Sequence, residues 1–175
     1  MTEEIIKHDV IIGIDVGTHT GFAVWDKTMK RFNEISQHEF KKNKKGIIIH
    51  RGVAEVRERV LVYHNATNVN LLCVYIEDSR KRGCSKKDPL YYVKRKGVGD
   101  NQAQCREWEQ FLSINNIPYK MIKPIRHNRR FFDEKGRETK SSMQHVNYCK
   151  SITGITTKIG EEHMRDGMLI AYHFK

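Results

Sequence analysis

The sequence has no apolar run near the roughly 18 residues that a membrane span needs, no C-x-x-C pair, no internal repeat, no low-complexity tract and no linker-like stretch. The first absence argues against a membrane partner, and the acidic start, residues 1–4, is unlike a secretory signal. The four cysteines, Cys73, Cys84, Cys105 and Cys149, are too scattered for a zinc ribbon or a secreted disulfide scaffold. Reduced thiols and a cytoplasmic location are expected, the host's cytoplasm if a virus or phage encodes the chain. What is present is length and charge. The 175 residues, 38% of them hydrophobic, suit one domain with its own core. Against 21 acidic residues stand 32 Lys and Arg, for a formal net charge of +11, which points to a polyanionic partner, most commonly nucleic acid.

The excess is local. Residues 79–99 carry Arg80, Lys81, Arg82, Lys86, Lys87, Lys94, Arg95 and Lys96 against one acid, Asp88. Residues 123–140 carry seven cations, Arg129 and Arg130 among them, against three acids. Each segment holds an aromatic pair, Tyr91-Tyr92 and Phe131-Phe132, and neither has core-like periodicity, so both are expected as surface loops or an exposed hairpin. Cations there can neutralise phosphates and rings can stack on unpaired bases. A charge run is also what a solvated face looks like, and composition alone does not separate the two. The run at 41–45 reads as a plain turn before a helix.

The stretch Val10-Ile11-Ile12-Gly13-Ile14 is continuously apolar, as in a strand buried on both faces, and ends in Asp15. Strands are also expected at 21–25 and 31–40, making a meander of hairpins. Valines 53, 56 and 60 give an amphipathic helix over 50–66. A second unbroken apolar run, 71–76, is closed by Glu77. Helices over 102–114, 143–152 and 161–174 and a short strand at 118–122 complete the order β-β-β-α-β-α-β-α, an α/β domain over residues 1–175 with a mixed five-stranded sheet.

Two buried strands that each end in an acid have a geometric consequence. As parallel neighbours joined by a crossover helix, they bring Asp15 and Glu77 side by side at one sheet edge, where ligand sites of open α/β sheets lie. On the last helix His163 and Asp166 stand at i, i+3 and share a face. Three carboxylates and an imidazole at one place repel unless a cation compensates, and hard oxygen donors suit Mg²⁺ or Mn²⁺. Two such ions about 3.5–4 Å apart can activate water and stabilise the leaving oxygen of a phosphodiester. Taken singly, a strand-end Asp is more often a turn residue, Glu77 beside a basic run can be an ion-pair partner, and a lone His is more often structural. The four together favour a metal site.

These motifs resemble a known family. IIGIDVGTHTGFAVW (11–25) resembles the opening hairpin of RuvC-type Holliday-junction resolvases, VYIED (74–78) their second motif with its Glu, and EEHMRDGMLIA (161–171) their closing helix. GDNQAQCREWEQFL (99–112) is similar to the helix between motifs, and KSITG (150–154) to small viral and phage relatives. The resemblance implies a ribonuclease-H-like fold, a homodimer, and Mg²⁺-dependent paired nicking of four-way DNA junctions. It also implies that Asp15, Glu77 and Asp166 ligate two ions, with His163 in a fourth position for which Glu161 and Glu162 compete. Tyr91 and Tyr92 become candidates for stacking at the junction centre. Alternatives are a related nuclease acting on RNA or RNA–DNA hybrids, and a non-catalytic junction- or RNA-binding protein on the same fold. The loop DVGT (15–18) also resembles the phosphate loop of actin-like ATPases, which need about twice this length.

Overall fold

Strand β1 (Val10–Asp15) is the centre of the sheet because every residue from Ile11 to Asp15 is buried. It pairs antiparallel with β2 (His19–Asp26), which pairs with β3 (Arg31–Lys42), the meander expected from the sequence. On its other side β1 runs parallel to β5 (Leu72–Glu77), and β5 parallel to β6 (Tyr119–Ile122). These five strands, with helices packed on both faces, form the mixed sheet of an α/β fold. A short sixth strand, β4 (Ile48–Arg51), adds at the β3 edge, giving the order β4-β3-β2-β1-β5-β6. A computed structural model describes residues 8–17, 19–42, 48–68, 71–78, 80, 91–124, 134–135, 139–140 and 142–175, with the backbone alone at 40–42, 48–51 and 91–101.

Two departures from the sequence reading have local causes. Of the run 41–45, expected as a plain turn before a helix, Lys41 and Lys42 belong to β3 and 43–45 lie outside the described residues; β4 precedes helix α1 (Val53–Ala66), which starts three residues later than residue 50, after Gly52 turns the chain at φ 55°. Residues 91–99, expected in a loop or hairpin, are the first part of helix α2 (Tyr91–Ile114). Tyr91, Val98, Cys105 and Leu112 recur every seven residues, a helical repeat masked by the cations between them and by Gly97 and Gly99, each of which costs about 1 kcal/mol in a helix interior. Helices α3 (Met143–Thr153) and α4 (Glu162–His173) follow; Ser142 caps α3 by accepting from the His145 N–H at 3.3 Å, and Gly154 closes it in a left-handed conformation. Among the described residues no helix is long and apolar enough to cross a membrane.

Side-chain alternation along the strands sorts the core into two layers. Ile12, Ile14, Phe22, Val24, Val74 and Ile76 face α1 and α2, packing against Val56, Val60, Cys105, Trp108 and Leu112. Ile11, Ala23, Trp25, Cys73 and Tyr75 face α4, packing against Met168, Ile170 and Ala171. On the second face α4 approaches the sheet backbone to backbone. A Cβ built on Gly13 would lie 2.4 Å from the Gly167 carbonyl oxygen, and one on Gly21 only 1.7 Å from that of His163. Glycine at these positions is therefore a condition of the fold, and it fixes where the first turn of α4 sits.

Candidate metal centre at the carboxyl edge of the sheet

The register pairs Ile14 of β1 with Ile76 of β5, so Asp15 and Glu77 are the next residues of adjacent parallel strands. They follow Gly13 and Tyr75 by two residues and so share the α4 face. Asp15 is also the register partner of Gly21, on which the first turn of α4 rests. That contact brings His163 Nδ1 to 2.8 Å from Asp15 Oδ2 across 148 residues of chain. Asp166, three residues on, acts electrostatically on Asp15. All three carboxylates are withdrawn from water, with Asp15 6%, Glu77 5% and Asp166 7% exposed. Asp15, His163 and Asp166 are thus brought together by α4, and the strand register places Glu77 next to Asp15 along the same sheet edge.

The electrostatics follow from that burial. Desolvation pushes the Asp15 carboxyl above its usual range, and Asp166 adds to the effect, while the His163 hydrogen bond and Lys140 oppose it. The Asp15 hydrogen bond in turn raises the His163 imidazole above its ordinary value. Lys140 donates its ammonium to Asp166 Oδ2 at 2.6 Å. Two of the three buried acids thus carry a cationic or protonatable side chain from the same chain.

Lys140 was not among the expected site residues, because tertiary contacts put it there. The fully buried Arg165 donates to the Lys140 carbonyl at 3.0 Å, to the Lys158 carbonyl at 2.6 Å and to Thr157 Oγ1 at 3.2 Å. His145 Nδ1 lies 3.0 Å from the same Lys140 carbonyl. His19 is a second addition: its ring stacks on His163, centroids 5.5 Å apart and 14° between planes, and its Nε2 lies 2.9 Å from Glu39 Oε2. Lys140 belongs to the basic stretch 123–140, but nothing in the sequence directs it to Asp166, and no sequence signal marks His19.

Among the described residues no group of three or more His, Cys, Asp or Glu side chains stands in a metal-holding arrangement. The chemistry of the donor set nevertheless fits a hard divalent cation: buried carboxylates, partly neutralised from within, beside a further acid whose Oε2 is buried without a hydrogen-bond partner, Glu162. Of the two competitors for the fourth position, Glu161 is engaged by the Lys158 N–H at 2.6 Å, whereas Glu162 keeps that oxygen available.

The expected nucleic-acid contacts divide in three. Arg80 is bidentate on Asp78, with Nε at 2.7 Å, and also pairs with Glu109 of α2; both carboxylates raise its pKa. Tyr91, Tyr92, Lys94, Arg95 and Lys96 have their backbone in α2. Lys81, Arg82, Lys86, Lys87, Arg129 and Arg130 lie outside the described residues.

No family model matches the chain, and no curated protein matches it in sequence. Among solved structures it is similar to T. thermophilus RuvC in complex with a Holliday junction substrate, at 16% identity and a TM-score of 0.47 over 95% of this chain and 94% of that one. It is also similar to another Thermus thermophilus RuvC structure, at 16% identity and a TM-score of 0.46 over 94% and 93%.

Proposed function

We propose that the chain is a metal-dependent, structure-selective DNA endonuclease that resolves four-way junctions by paired nicks as a homodimer. The observation that supports phosphodiester hydrolysis is the placement of Asp15 with His163 and Asp166, and of the buried Glu77 on the adjacent strand end, at one sheet edge of a strongly cationic chain. The junction specificity, the homodimer and the extent of the domain, residues 1–175, rest on the motif resemblance.

Asp15, Glu77 and Asp166 hold the ions, with His163 or Glu162 in the fourth position. Two Mg²⁺ or Mn²⁺ ions, when bound, supply an activated water and neutralise charge at the leaving oxygen. Lys140 and His163 compensate the buried acids Asp166 and Asp15 within the chain itself. The Lys140 ammonium, part-exposed beside Asp166, would also donate to a phosphate oxygen of a bound substrate. Where Glu162 takes the fourth position, His163, its ring stacked on His19, would remain beside the site with an imidazole able to move a proton at the reacting water or leaving group. Lys94, Arg95 and Lys96 bind the backbone of the substrate.

The test is cleavage of four-way, three-way, linear duplex and RNA–DNA hybrid substrates side by side with Mg²⁺. Symmetric nicks in the four-way junction, exceeding the others by tenfold or more (about 1.4 kcal/mol in barrier), support the reading. Equal or greater cutting of the hybrid assigns the site to RNA instead.

A further inference from the structure

At the other end of α4 a cavity of about 700 Å³ opens between the β2–β3 turn, the start of the loop after α3 and the end of α4. Its volume is in the range of small-molecule sites. Its apolar wall is aromatic: Trp25 meets Phe32 edge-on at 4.9 Å and Tyr172 edge-on at 5.3 Å, while the Phe32 and Tyr172 rings run nearly parallel, 21° apart. Its polar lining is cationic. Lys27, Lys30 and Arg31 come from the turn, and no carboxylate side chain is among the lining residues. Asp26, the acid of that turn, is engaged by the Met29 N–H at 2.8 Å and by Asn33 Nδ2 at 3.2 Å. Tyr172 presents its face to charge, with an ammonium, that of Lys175, 3.3 Å from the ring centroid.

We infer that this cleft binds a nucleotide unit, its base taking the place of the Lys175 ammonium over the Tyr172 ring, beside Phe32, and its phosphate at Lys30 and Arg31. Rings favour the flat base and cations the phosphate, and neither half of the lining alone accounts for the other. The cleft is distinct from the carboxylate edge: Trp25 is four residues along β2 from Gly21, the partner of Asp15, about 13 Å at strand spacing. The same chemistry is offered by a free mononucleotide and by an unpaired nucleotide of a strand.

The test uses the Asp15→Asn chain, so that no probe is cut, and follows fluorescence of Trp25 during titration with dAMP, inorganic phosphate and an eight-nucleotide oligothymidylate. Trp108 is fully buried on the opposite face of the sheet, and a Trp25→Phe control identifies its background. A saturable change with dAMP or the oligonucleotide, about tenfold weaker with phosphate alone and about tenfold weaker in Lys30→Gln/Arg31→Gln, is expected. Tighter binding of the oligonucleotide than of dAMP identifies the strand as the source, and equal binding the free nucleotide. No change with either up to millimolar concentration, or binding unaltered in the double variant, overturns the inference. Because the readout is binding at the cleft, it is independent of whether the carboxylate edge cleaves DNA.

Discussion

The two faces of the sheet are built differently. Against α1 and α2 the strands offer Ile12, Ile14, Phe22, Val24 and Ile76, and the fully buried Trp108 fills the space between them. Against α4 they offer Gly13 and Gly21, so the helix lies on the backbone itself, and beside that contact sit the buried acids. The first face stabilises by apolar bulk. The second has an apolar cluster of its own around Trp25 and Tyr75 but gives up bulk at Gly13 and Gly21, so that groups far apart in sequence can touch, as His163 and Asp15 do.

If that division holds, substitutions on the two faces separate activity from stability. Asp166→Asn should lower junction cleavage by about a thousandfold or more, as expected when a ligand of a catalytic ion is lost. Its melting temperature should change little, because the residue's buried charge is removed with its partner's salt bridge; quantitative cleavage and thermal melts check the two halves. Ile12→Ala on the apolar face should do the reverse, costing about 3 kcal/mol by urea unfolding while the folded fraction cuts at the normal rate. Gly21→Ala sits at the boundary and should lose both. Its methyl would displace the first turn of α4, costing about 1–3 kcal/mol by the same unfolding assay and separating His163 from Asp15.

The smallest effect is a pH dependence. Burial pushes the His145 imidazole down to about 4 from 6.5. Between those values the unfolded chain binds a proton that the folded one does not, so this contribution to stability is present at pH 7 and falls as pH is lowered. From pH 7 to pH 5 the loss is about 2 kcal/mol, and His145→Asn should flatten the slope by that amount in parallel urea titrations.

What the sequence revealed was what contiguous residues encode. Unbroken apolar runs marked β1 and β5, and their terminal acids marked one sheet edge; the i, i+3 spacing of His163 and Asp166 marked one face of α4. What it concealed depends on tertiary contact. Lys140 reaches Asp166 because Arg165 and His145 hold its carbonyl, and the importance of Gly21 appears only once α4 lies across it. The start of α2 was hidden for another reason: local glycines and cations oppose a helix that the whole element nevertheless adopts.

The central claim is that the edge formed by Asp15, Glu77 and Asp166 takes up divalent cations as a unit. Calorimetric titration of Mn²⁺ into the wild-type chain and into Asp15→Asn tests it most directly. The account predicts two ions per wild-type chain and affinity at least about tenfold weaker in the variant, a difference of about 1.4 kcal/mol. Equal binding isotherms for the two proteins, or no binding to the wild type, would contradict it.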